Sequence, residues 1–106
     1  MKISTAYDLK KIDNNCIVSV AGLVTLRQRP GTANGVMFLS LEDETGSINV
    51  ICWKSIYNKF HREILLSKLI LVVGTIQKEC GTINIIAQSV KDISEMLDLL
   101  LYIDCF

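Results

Sequence analysis

Phe38, Asn49 and Trp53 are the side chains whose types and spacing invite a chemical reading. They fall in one stretch, residues 36–53, VMFLSLEDETGSINVICW. A benzyl ring stacks on flat heterocycles, and an indole offers a larger π face. A side-chain amide both donates to and accepts from a heterocycle edge. That chemistry is recognition of nucleobases rather than bond making. Four cations accompany the set. Arg27 and Arg29 precede it, Lys54 follows Trp53, and Lys78 stands near a later turn. Guanidinium and ammonium groups neutralise phosphates, and guanidinium also stacks on rings.

Each residue also has a plainer reading. Phe38 belongs to a core if the strand register slips by one residue. Trp53 either extends the aromatic face or packs under the element that follows. Asn49 is an ordinary outward polar residue, and the arginines solubilise a loop. Lys59, His61 and Arg62 read as a solvated helix face. Glu42, Asp43 and Glu44 share one turn and cannot converge on a metal pair. Asp43 is expected to accept backbone N–H bonds and fix that turn.

The elements that must position these groups follow from hydrophobic period. A lead-in over 1–15 holds a short helix capped by Thr5 and a turn at Asp13-Asn14-Asn15. Residues 16–28 form a long strand in which Val18, Val20, Gly22, Val24 and Leu26 keep one parity. Arg27 to Gly35, with Pro30 and Gly31, is a loop. The stretch 36–53 is a hairpin turning at Gly46. Met37, Leu39, Leu41, Ile48, Val50 and Cys52 share its inward side. Phe38, Ser40, Asn49, Ile51 and Trp53 share the other.

Ile56, Tyr57, Phe60 and Ile64 then recur at helical spacing. Residues 67–78 and 82–88 return to strand character, with Gly74 at a bend and a tight turn at Glu79-Cys80-Gly81. A last helix is expected from Val90, and it is apolar on two stripes through Phe106. No internal repeat is evident. The order strand, strand, strand, helix, strand, strand predicts an all-β chain with short helices. It is a five-stranded OB-fold Greek-key barrel with its helix between strands three and four, plus an extra C-terminal helix. The expected domain is one unit over 1–106, with lead-in 1–15, barrel 16–89 and helix 90–106.

Composition sets outer limits. The chain has 106 residues and is 50% hydrophobic, which supports one core without staples. Cys16, Cys52, Cys80 and Cys105 form no C-x-x-C pair, and there is one histidine. Metal-ligand spacing is absent, and the cysteines read as free thiols. No nucleophile–base pair or phosphate-cradling loop appears, so neither an enzyme nor a cofactor is expected. No apolar run reaches bilayer length and MKISTAYDLKK lacks a signal-peptide core, so a cytoplasmic location without a membrane partner is expected. Net charge is zero, but residues 1–89 hold ten of the 11 Lys/Arg and seven of the 11 Asp/Glu, a balance of +3. A mildly basic body permits a phosphate-bearing partner without requiring one.

The pattern VAGLVTLRQRPGTANGVMFLSLEDETGSINVICW, with VVGTIQKECGTINIIA downstream, resembles the OB domain of bacterial DNA polymerase III alpha subunits, the error-prone type above all. The likeness covers roughly residues 16–90. Arg27-Gln28-Arg29-Pro30-Gly31 followed by Leu41-Glu42-Asp43-Glu44-Thr45-Gly46 carries it. The F-x-x-L-x-D-x-x-G core, Phe38 to Gly46, is similar to anticodon-binding OB domains of class II aminoacyl-tRNA synthetases. That resemblance implies base stacking for Phe38 and base-edge contact for Asn49, where a Gln stands in those domains. The polymerase family's catalytic domains are not in this sequence, which reads as a detached OB module.

The expected function is therefore non-catalytic binding of single-stranded nucleic acid, DNA favoured over RNA, in a replication or repair setting. Arg27, Arg29, Phe38, Asn49, Trp53, Lys54 and Lys78 are the expected contacts. The alternative is a protein-interaction module that docks a replication or repair protein, or a second copy through the C-terminal helix.

Overall fold

Alternation across two seven-residue strands sets the interior. In β2 (Met37–Asp43) and β3 (Gly46–Cys52), Met37, Leu39, Leu41, Ile48, Val50 and Cys52 are all buried. Their register pairs Met37 with Cys52, Leu39 with Val50 and Leu41 with Ile48. This is the inward set that the sequence predicts. The computed structural model describes residues 3–29 and 35–96.

The other elements close around that hairpin. Among the described residues they are α1 (Ala6–Leu9), β1 (Ile17–Gln28), α2 (Lys54–Leu66), β4 (Leu69–Glu79), β5 (Thr82–Asp92) and a 3-10 turn, Ser94–Met96. The strands form a closed barrel in the order β1-β2-β3-β5-β4. β3 and β5 run parallel, and every other pair is antiparallel. The barrel is the five-stranded OB-fold, with α2 between the third and fourth strands. Ile64 of α2 is fully buried, and Ile56, Tyr57 and Phe60 pack against the same core. Closure leaves the barrel no open sheet edge.

Two expectations change. β1 does not keep one parity, because a bulge falls between Val24 and Leu26. One extra residue reverses every later side chain, so Leu26 turns outward and Arg27, opposite Leu39, changes side while staying exposed. β5 runs through Asp92, where a helix is expected from Val90. Val90 instead faces the core opposite Val72, and Asp92 accepts the Ser94 N–H at 2.9 Å to start the 3-10 turn. The rest of the expected C-terminal helix, residues 97–106, lies outside the described residues, as do Pro30 and Gly31 of the first loop.

Turn chemistry fixes the ends. Thr5 and Asp8 form a capping box on α1. The β4–β5 hairpin turns on Cys80 and Gly81, whose φ angles are 51° and 81°. Two successive positive φ values make the type I′ geometry that matches strand twist. Gly74 sits at a second bulge, and a Cβ there would lie 2.4 Å from the Ile86 carbonyl oxygen.

Asp43 ties three segments together. Its carboxylate accepts the N–H groups of Ala6 at 2.8 Å, Thr45 at 2.8 Å and Gly46 at 3.0 Å, and the Thr45 hydroxyl at 2.7 Å. Partial burial alone would raise its pKa, but these donors outweigh it and hold the carboxyl below its ordinary value. A carboxyl so held stabilises the fold above its unfolded pKa, and that contribution is lost as pH falls through the folded value.

Two predictions follow from these contacts. Asp43→Ala is expected to cost about 1–3 kcal/mol in urea unfolding at neutral pH. The gap to the wild type should narrow as pH drops below the ordinary carboxylate range, and a gap independent of pH would contradict the assignment. Gly74→Ala should cost about 1–3 kcal/mol or more by overpacking, since backbone on β5 must move. The same urea titration reads it.

Candidate functional site

The barrel's outward positions form rows that cross strands. Gln28, Phe38, Ile51, Ile86 and Thr75 are successive partners across β1, β2, β3, β5 and β4. Leu26, Ser40, Asn49, Asn84 and Gln77 make the adjoining row. Four strand intervals of about 4.8 Å make each row a path of roughly 19 Å around the curved barrel wall. Neither row contains a charged side chain.

Phe38 is 39% exposed on β2, the second strand of its row. Its inward neighbours Met37 and Leu39 already fill the core, so the ring stays outside. Asn49 is exposed, two residues before Ile51, which is Phe38's cross-strand partner. Trp53 is 51% exposed at the N-cap of α2, so its ring is not packed beneath that helix. Lys54, also exposed, follows it, and its aliphatic stem runs close beside Gly35. Arg29 is exposed one residue past Gln28, with its guanidinium carbon 4.4 Å from the Tyr57 ring centroid. Phe38, Asn49, Trp53, Lys54 and Arg29 thus belong to one face and its α2-side margin.

Arg27 and Lys78 do not. The bulge in β1 turns Arg27 toward α2. There its Nε donates to the Ile64 carbonyl at 2.7 Å and its Nη2 donates to the Ser67 carbonyl. These carbonyls end a helix, where the macrodipole favours a cation. Lys78 pairs with Ile83 on the side opposite Gln77 and Asn84, and its Nζ donates to the Lys10 carbonyl at 3.2 Å. Lys59, His61 and Arg62 are exposed on α2, as expected for a solvated helix face.

Sequence reasoning missed Asn84 and Ile86, which join the face through the parallel β3–β5 pairing. That pairing sets Asn49 beside Asn84, Val50 beside Ile85 and Ile51 beside Ile86. A signal was present. Gly46-Ser-Ile-Asn-Val-Ile51 and Gly81-Thr-Ile-Asn-Ile-Ile86 are a short internal recurrence, each beginning at a turn glycine. Chemically, the face offers apolar and aromatic surface in one row and amides in the next. Cys52 is buried in the core beneath it, with its thiol pushed up to about 12 by desolvation, so it stays neutral.

Comparison with known proteins adds relatives. A family model described as an OB-fold nucleic acid binding domain, of the tRNA anti-codon type, matches residues 8–93. The chain is 48% identical over 83 residues to error-prone DNA polymerase 1 of Rhizobium meliloti, covering 78% of this chain and 7% of that one. It is 45% identical over 94 residues to the error-prone DNA polymerase of Methylococcus capsulatus, covering 89% and 9%. It therefore spans under a tenth of the length of these polymerases. Among solved structures, asparaginyl-tRNA synthetase from Pyrococcus horikoshii with asparaginyl-adenylate shares the fold at a TM-score of 0.73 and 19% identity. That match covers 88% of this chain and 22% of the synthetase. The S. pombe Stn1-Ten1 complex does so at 0.64 and 18%, covering 84% and 66%.

The placement of Arg27 yields a test that separates its two roles. Arg27→Gln should lower stability by about 1–3 kcal/mol in thermal or urea unfolding, through loss of charged hydrogen bonds to helix-end carbonyls. A residue serving phosphate alone would leave unfolding unchanged.

Proposed function

Because the chain belongs to the OB-fold nucleic acid binding domain family, we propose that its outward face binds single-stranded nucleic acid without catalysing a reaction. One observation carries this reading. Phe38 is held exposed on an uncharged sheet face, beside the Asn49 amide, by a core that its neighbours fill. A base stacks on the Phe38 ring, and the Ile51 and Ile86 side chains extend the apolar surface under its neighbours. Asn49 and Asn84 meet base edges as donors and acceptors. Trp53 lengthens the stacking surface, while Arg29 and Lys54 at its margin take phosphates. Arg27 acts through α2 and is no longer a phosphate contact in this reading.

DNA is favoured over RNA because relatives of 43–52% identity are named error-prone DNA polymerases. A replication or repair setting follows from the same names. Polymerase chemistry is not part of the proposal, since the matched region is so small a share of those chains. A module with one central stacking ring binds weakly alone. Tethering to a larger assembly multiplies its effect through local concentration.

A second reading, a protein-docking module, is favoured by Leu65 and Leu66, exposed by 41% and 71% at the end of α2. Light scattering of the chain and of a Leu65→Ser/Leu66→Ser variant would show self-association lost on substitution if those leucines join two copies.

For the leading reading, titration of Trp53 fluorescence with oligo-dT is the direct assay. Phe38→Ala should weaken binding by about 1–3 kcal/mol, roughly 5- to 150-fold. Unchanged affinity would overturn the stacking mechanism.

A further inference from the structure

The cations that the sequence places around the face are fewer in the folded chain, because Arg27 and Lys78 turn elsewhere. A different cluster forms at the opposite margin. Lys11 Nζ lies 4.5 Å and Lys10 Nζ 5.9 Å from the centroid of the Tyr7 ring, which is 52% exposed. Lys78 reaches the same place through its bond to the Lys10 carbonyl, and its own N–H donates to the Asn14 side chain at 2.9 Å. Two ammonium groups thus flank the half-exposed Tyr7 ring, and a third, that of Lys78, is held at the Lys10 backbone carbonyl. A ring face and a carbonyl oxygen leave their positive charge in place. The nearest carboxylate in sequence, Asp8, accepts the Thr5 N–H at 3.1 Å as part of the capping box. Asp13 lies in the turn that follows.

This cluster is rigidly joined to the face. Ala6 N–H donates to Asp43, and Tyr7 N–H donates to the Thr45 hydroxyl at 3.0 Å, so α1 is pinned to the β2–β3 turn. Lys10 also lines a cleft of about 170 Å³ with Ala6, Thr45, Gly46 and Ser47. From Gly46 to Asn49 is three strand residues, about 10 Å. A chain laid over Asn49 and continuing toward the turn arrives at the lysines within a few nucleotides.

We propose that Tyr7, Lys10, Lys11 and Lys78 form a second contact for the same strand, one that takes the phosphodiester backbone. This rests on the reading of the face as a stacking platform. The platform supplies the base contacts, and α1 adds counter-charge to that of Arg29 and Lys54 at the other margin. Lys10 and Lys11 carry most of that charge, with Lys78 beside them. Tyr7 holds the ammonium groups over its ring. The proposal predicts a division of labour in salt dependence, since each phosphate contact on a single strand contributes about 0.7 to the slope of log K against log salt.

The experiment titrates Trp53 fluorescence with an oligo-dT of about 15 nucleotides across a salt series, for wild type, Lys10→Gln/Lys11→Gln and Phe38→Ala. Both lysines are exposed, so unfolding of the lysine variant should match the wild type. That variant is expected to flatten the slope by about 1.4, two contacts' worth, and to bind an oligo-dT of about 3 nucleotides as the wild type does. Phe38→Ala should lower affinity with its slope unchanged. A wild type that binds oligo-dT with a slope that the lysine variant leaves untouched overturns the second contact alone. A wild type that binds no oligonucleotide overturns the platform and the second contact together.

Discussion

The whole structure turns on side-chain alternation along β2 and β3. Six consecutive inward positions of that hairpin are occupied by Met, Leu, Leu, Ile, Val and Cys, and all six are buried. Burial of each large aliphatic side chain stabilises by roughly 1.5–3 kcal/mol. A slip of one residue would expose that entire set and bury Ser40 and Asn49 without partners. The register is therefore locked, and the outward positions inherit their orientation from it. Phe38 is exposed because the fold has no room for it and strong reasons to bury its neighbours.

The same constraint explains how a neutral chain can present a ligand face. The outward rows hold aromatic, aliphatic and amide groups, and the charges stand around their rim. Arg27 shows that a cation near a loop need not serve a ligand, since α2 ends in carbonyls that require a donor. Arg29 rests on Tyr57 and remains exposed. The helix thus uses one arginine to cap its last turn and carries the other on its aromatic flank. Asp43 plays the matching structural part at the far end, where one carboxylate joins α1 to the hairpin turn.

Much of this was legible in the residue order. The inward set of the hairpin, Asp43 as a turn acceptor, the Thr5 cap and the place of α2 all follow from local rules that tertiary contacts reinforce. The parts that were not legible have definite causes. The bulge at Val24 and Leu26 leaves no compositional mark, so Arg27 and Leu26 read on the wrong sides. Ser89-Val-Lys-Asp92 satisfies a helix start as well as it does a strand, and pairing with β4 decided the matter. Asn84 and Ile86 required knowledge that β5 lies parallel to β3. The recurrence of Gly-[Ser/Thr]-Ile-Asn pointed to that pairing, but only a closed barrel makes its meaning plain.

The central claim is spatial: a base lies on the ring of Phe38. Nuclear Overhauser contacts in a complex with a short oligo-dT observe this directly, without a substitution that alters the protein. The account predicts cross-peaks between the Phe38 ring protons and the thymine methyl or H6 protons, with upfield ring-current shifts of those base protons. A saturated complex in which the Phe38 ring shows contacts to protein protons alone, while the thymines lie elsewhere, would contradict it.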